Sequence, residues 1–314
     1  MRSSRAWSLL GALGVLLGLG GRAPAWHGRG HHVATTLAVG ATRGKLPAFF
    51  ADGAATVAHA SLDPDLFTRP IGPEPLHSAE APEHYFDVEL LKGAKLPATR
   101  YEYLALCAKL GLKPDKVGLG PFSVTEWTQR LTVAFAEHRA YGDNPHVRSK
   151  CLLYAGILSH YAQDLCQPLH TTIHWDGRAK SDNSSPRTGI HRKVDALLGK
   201  LDVDRRAVLK DAAPAAFKDL RRAVLDEIAR SNKLVDRVYE LEQQLPELTA
   251  PLKQDSPVAA FTGERMRAAV RFTASLYVTA WRDSAKLKMP AWYARPYEPP
   301  PSPPPTVRKQ SKGT

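Results

Sequence analysis

Apolar residues recur at helical spacing through most of this chain, and no stretch shows the alternation of a half-buried strand. Between residues 100 and 112, Tyr101, Leu104, Ala105, Ala108 and Leu112 fall three and four apart, the period of one helix face. Gly111 and the run Lys113-Pro114-Asp115 close that pattern, as helix stop signals do. A second helix is predicted over 123–139, with Ser123 as N-cap and Glu126 three residues on, the arrangement of a capping box. Asn144-Pro145 opens a third over 145–163, because proline is tolerated in a first helical turn. Gln167-Pro168 breaks the chain after it. Further helical patterns cover 189–201, 213–245 and 258–286. The predicted class is all-α, one multi-helix domain over 26–289.

The two ends read differently. Arg2 and Arg5 precede an uncharged apolar run over 7–20, and Ala23-Pro24-Ala25 follows. The run falls short of the about 20 residues that span a bilayer. Basic start, short apolar core and small-residue exit predict a signal peptide over 1–25, hence a secreted or periplasmic protein. From Pro290 to Thr314 prolines are dense and the last residues are basic and small, so a disordered tail is expected.

Charge and cysteine narrow the picture only a little. The formal net charge is +12, which favours anionic partners without choosing among nucleic acid, acidic lipid and phosphorylated metabolites. Cys107, Cys151 and Cys166 are the only cysteines. Their spacing matches neither a zinc finger nor a redox pair, and an oxidising compartment permits one disulfide among them. Cys166 reads best as a small buried apolar residue.

The chemistry lies in the histidines. His160 and Asp164 are four apart, so they project from one helix face. Pro168 ends that helix and can turn His170 back beside the pair. His191 and Asp195 repeat the four-residue spacing. Imidazole nitrogen and carboxylate oxygen are zinc ligands, and catalytic zinc sites keep a position open. Cleavage after Ala25 would give Trp26 a free α-amine close to His31, and such an amine, with a reference pKa of about 7.7–8.0, loses its proton readily to a cation.

These residues carry a family resemblance. The chain resembles the superfamily that joins bacterial zinc-dependent phospholipase C to the secreted single-strand-specific nucleases of fungi and plants. The matching elements are the Trp26-to-His31 segment, His84-Tyr85-Phe86-Asp87, the motif His160, Asp164, Gln167, Pro168 and His170, and the pair His191 and Asp195. The resemblance spans residues 26–195, with a weaker echo over 265–283. It implies an all-helical fold around three zinc ions. Asp65, His84, His160 and Asp164 would hold the first, and Asp63 is the rival to Asp65. His170, His191 and Asp195 would hold the second. Trp26, His31 and a bridging Asp164 would hold the third, and His32 is the substitute if the register slips by one.

The implied reaction is metal-assisted hydrolysis of a phosphodiester, with Asp65 orienting or deprotonating the attacking water. Single-stranded DNA or RNA is the expected substrate, with no protein partner predicted. Tyr85 would stack a base, Asp87 would accept from base edges and Arg69 would meet phosphate. The Trp-x-x-x-Gly-His spacing and the acid at Asp195 lean to the nuclease branch. Val194, where nucleases carry Trp, and the run over 275–283 lean to phospholipase C. The family has Gly before the motif Asp, whereas this chain has Gln163. A metal-binding interaction protein without turnover is the alternative outside enzymes.

Overall fold

The computed structural model describes residues 28–69 and 73–293. Trp26, the signal segment over 1–25 and the tail over 294–314 lie outside the described residues. Helices run through the described chain: α1 (Gly28–Ala41), α2 (Ala48–Asp52), α3 (Ala54–Ala60), α4 (Asp63–Phe67), α5 (Glu74–Glu80), α6 (Arg100–Lys109), α7 (Pro114–Val117) and α8 (Gly120–Ala140). They continue as α9 (Pro145–Asp164), α10 (Ile190–Lys200), α11 (Arg205–Ala212), α12 (Leu220–Asn232), α13 (Val235–Glu240) and α14 (Pro257–Ser284). No strand forms among the described residues; a single bridge joins Trp175 and Gly177. The all-α expectation holds. No described helix is long and apolar enough to cross a membrane.

Helix α9 is the axis of the fold. Every residue from Ala155 to Asp164 on it is buried, the pattern of a helix enclosed by neighbours on all sides. Helices α8, α3, α14 and α1 pack around it. Gly156 permits the close approach of α3: a Cβ there would sit 2.5 Å from Ala60 Cβ and 2.6 Å from the Val57 carbonyl oxygen. Tyr277 on α14 reaches in and donates to the Ala155 carbonyl at 2.9 Å. A large apolar cluster surrounds these contacts, including Phe50, Leu131, Phe135, Leu158, Met266 and Leu276. A second cluster joins α10, α13 and the start of α14 through Ile190, Leu197, Val238 and Phe261.

Several boundaries depart from the sequence expectations. Ser123 does not cap α8. The helix begins at Gly120, and the Ser123 hydroxyl bonds Glu83 and the Leu119 carbonyl from within it. The capping box sits instead at Thr99 and Glu102, opening α6. Long-range pairing of Ser123 with Glu83 outcompeted the local motif. The periodic run over 213–245 is broken into α12, α13 and a short 3-10 turn, because its apolar positions serve two different clusters. Helix α9 starts at Pro145 as expected, with the Asn144 side chain accepting from the His146 and Val147 amides. All three cysteines are buried free thiols, so the permitted disulfide does not form.

Candidate metal centre

Six segments deliver the polar residues to one buried region. His31 comes from α1, Asp65 from α4, and His84 from the end of a 3-10 turn over Ala81–His84. His160 and Asp164 come from the last turns of α9, His170 from the 3-10 turn Pro168–His170, and His191 and Asp195 from α10. All eight side chains are buried, His31, His160, Asp164 and Asp195 completely. So much buried polarity in one place is costly unless it is paired or binds a cation.

Three groups of ligand atoms result: His31 with His160 and Asp164, Asp65 with His84 and His160, and His170 with His191 and Asp195. Each can hold a metal ion, since its atoms lie within 4.8 Å of one another. Asp164 serves two directions at once. Its Oδ1 is 3.3 Å from His31 Nε2. Its Oδ2 is 2.9 Å from His84 Nδ1 and 3.4 Å from His160 Nε2. In the third group His191 Nε2 is 3.1 Å from Asp195 Oδ2, and His170 Nε2 is 3.7 Å from Asp195 Oδ1.

Hydrogen bonds behind the imidazoles set which nitrogen faces inward. His160 Nδ1–H donates to the Ser61 carbonyl at 2.8 Å, His170 Nδ1–H to the His84 carbonyl at 2.8 Å, and His191 Nδ1–H to the Trp175 carbonyl at 3.1 Å. A carbonyl only accepts, so each ring keeps its proton on Nδ1 and turns the Nε2 lone pair to the group. His84 is reversed. Its Nδ1 faces the centre, and its Nε2 lies 3.7 Å from the Glu80 carboxylate, which also accepts from the Tyr161 hydroxyl. Buried Asp65 Oδ1, Asp164 Oδ1, Asp195 Oδ2, His31 Nε2 and His170 Nε2 carry no hydrogen bond. Buried polar atoms are rarely left so, and a divalent cation is the partner that satisfies nitrogen and carboxylate oxygen together.

The electrostatics follow from this crowding. Burial pushes the Asp65 carboxyl up to about 6, against the pull of His31 and His84. Burial acts the same way on Asp164, but the surrounding imidazoles outweigh it and hold that carboxyl well below the usual range. His160 is driven well below the ordinary imidazole value by burial, with His31 repelling a second charge. Burial also opposes charge on His31 and His84, yet the adjacent Asp164 carboxylate raises both.

Loop contacts hold the ligand-bearing segments in place. Phe86 N–H donates to the His170 carbonyl at 2.9 Å, which ties the segment after His84 to the turn after α9. Gln167 Nε2 donates to Asp195 Oδ1 at 2.8 Å. Asp176, from the loop before α10, accepts from the Gly189 and His191 amides at 2.8 and 3.2 Å and so caps α10 from a distance. Glu80, Asp176 and the Ser61 carbonyl were not legible as site residues, because nothing in their local sequence marks them.

The rivals separate clearly. Asp65 is buried with Oδ1 3.8 Å from His160 Nε2, whereas Asp63 is only half-buried at the start of α4. His31 is inside and His32 is exposed. The residues expected to meet substrate differ in exposure. Tyr85 is buried, its ring stands against Gly118, and its hydroxyl donates to the Asp115 carbonyl. Asp87 is buried as well. Their segment is held by backbone bonds to His170, Val117 and Gly120. Arg69 is exposed near Asp65. A cavity of about 830 Å³ opens beside the centre, with Glu80, Tyr161, Phe67, Phe122, Trp127 and Arg100 in its wall. No known family model matches this chain, and no curated protein matches it.

Proposed function

We propose that this protein is a secreted zinc-dependent phosphodiester hydrolase that cleaves single-stranded nucleic acid. The observation that carries the reading is the convergence of five histidines and three aspartates from distant segments into three groups of ligand atoms. The resemblance to the phospholipase C and single-strand nuclease superfamily supplies the reaction class. His160, His84, Asp65 and Asp164 would hold one ion, His170, His191 and Asp195 a second, and His31 with Asp164 and the Trp26 amine a third. Bound zinc would supply positive charge that acidifies water and neutralises a phosphate.

The chain's own groups do the rest. Asp65 lies beside His84 and His160 in the same group of ligand atoms, where a carboxylate oxygen can take a proton from water held there. It accepts one proton from the attacking water as the new P–O bond forms. The P–O ester bond breaks, and the leaving oxygen takes a proton from solvent. Asp164 stays ionised and keeps two groups in register, while the Nδ1–H bonds keep the rings from turning.

Burial of Tyr85 and Asp87 removes the base platform expected of a nuclease, and this favours a second reading, phospholipase C action on a lipid headgroup. One experiment tests both. Purified protein is analysed for metal and N-terminal sequence, then offered heat-denatured DNA, RNA and phosphatidylcholine. About three zinc ions on a chain beginning at Trp26, with turnover of the nucleic acids, is the expected result. Turnover of phosphatidylcholine alone selects the second reading. Zinc-loaded protein that hydrolyses none of them is a metal-binding protein without this chemistry.

A further inference from the structure

Behind His31 a line of hydrogen bonds runs from α1 into α9 and back to its backbone. His31 Nδ1 lies 2.8 Å from Gln163 Oε1, and Gln163 Nε2 lies 2.9 Å from Thr35 Oγ1. Thr35 Oγ1 is 2.9 Å from Ser159 Oγ, which is 2.7 Å from the Gly156 carbonyl oxygen. His31, Thr35, Ser159 and Gln163 are all completely buried.

The far end sets the direction of every bond. A carbonyl oxygen only accepts, so Ser159 gives its single proton to Gly156. Ser159 then accepts from the Thr35 hydroxyl, and Thr35 in turn accepts from the Gln163 amide. The Gln163 carbonyl oxygen is thereby turned to His31, whose Nδ1 must carry the proton. Nε2, 3.3 Å from Asp164 Oδ1, is left as the nitrogen that turns to a cation. Running the line the other way would take the Ser159 proton off Gly156 and put the imidazole proton on Nε2, where a metal would have to displace it.

We propose that Gln163 is a positioning residue for the ion held by His31: it locks the ring in the Nδ1-protonated tautomer, so that Nε2 is a ready zinc ligand. His160, His170 and His191 use backbone carbonyls for this task. His31 uses a side chain at the position where the resembled family has Gly, so the device belongs to this chain. The proposal rests on the zinc reading above.

The test reads tautomer and affinity rather than turnover. Nitrogen-15 NMR of the imidazoles reports which His31 nitrogen is protonated in metal-free and zinc-loaded protein, and chelator competition reports zinc affinity. In the wild type Nδ1 carries a proton in both states, and zinc leaves Nε2 without one. Gln163→Leu, similar in volume, should release the tautomer and weaken one zinc by about 10–100-fold, leaving the His170–His191–Asp195 group unchanged. Gln163→Glu keeps the acceptor and should recover most of the loss. Thr35→Val breaks the line one step back and should show a smaller loss of the same kind; it carries the comparison if the leucine variant does not fold. A wild-type His31 whose Nδ1 carries no proton overturns the proposal. So do variants that bind three zinc ions as tightly as the wild type, and that result leaves the zinc reading standing. Wild-type protein that binds no zinc overturns both.

Discussion

His170 donates its Nδ1–H to the backbone carbonyl of His84 at 2.8 Å, although the two imidazoles belong to different groups of ligand atoms. One residue's side chain is thus oriented by the other's main chain. With the return bond from Phe86 to His170, the turn before Tyr85 and the turn after α9 are tied to each other twice. The groups are neighbours in a shared frame rather than separate sites.

That sharing predicts unequal losses when single carboxylates are removed. Asp164→Ala should empty both groups it faces, leaving the His170–His191–Asp195 group loaded. Asp195→Ala should empty only its own. Elemental analysis after dialysis reads the difference. Equal losses in the two variants would count against the bridging position of Asp164.

Asp65 predicts a pH effect on the metal-free protein. Its carboxyl is pushed up to about 6 from 3.8, chiefly by burial. The folded state therefore holds that proton more tightly than the unfolded chain. Ionised Asp65 destabilises the fold above pH 6, and the cost disappears as pH falls below the unfolded value. A shift of that size corresponds to up to about 3 kcal/mol. Asp65→Asn should stabilise the metal-free protein at pH 7.5 by up to that amount, with no gain at pH 3.5. It should also depress turnover of the zinc-loaded protein strongly. Denaturant melts at the two pH values, set beside wild type, check the sign.

Glu80 predicts an indirect role. It lies 3.7 Å from His84 Nε2, the nitrogen turned away from the centre, and accepts from Tyr161. Glu80→Ala should weaken zinc binding by about 10–100-fold, as loss of a carboxylate behind a ligand histidine does. Glu80→Gln, which keeps an oxygen in place, should cost less. Chelator competition with both variants decides; equal and unchanged affinities would reduce Glu80 to a wall residue of the cavity.

Gly156 predicts a link between packing and ligand orientation. A Cβ at this position would press on Ala60 and the Val57 carbonyl, next to the Ser61 carbonyl that holds His160. Gly156→Ala should destabilise by about 1–3 kcal/mol through overpacking and should weaken zinc binding as α3 is pushed away. Thermal melts with and without zinc separate the two effects.

The sequence by itself determined the class of structure and the inventory of the centre. Apolar spacing of three and four made the chain helical, and the four-residue spacings of His160 with Asp164 and of His191 with Asp195 placed each pair on one helix face. These are local facts, since a helix repeats every 3.6 residues whatever packs against it. Tertiary structure decided what no local window holds. It chose Asp65 over Asp63 and His31 over His32 by burying one of each pair. It moved the start of α8 from Ser123 to Gly120, because Glu83 competes for that hydroxyl. It buried Tyr85 and Asp87 in a segment bonded on both sides. It also recruited Glu80, Asp176, Gln163 and three backbone carbonyls behind the ligands. Those partners are distant in sequence, and the orientation of a ring depends on whichever acceptor the packed chain brings to its far side.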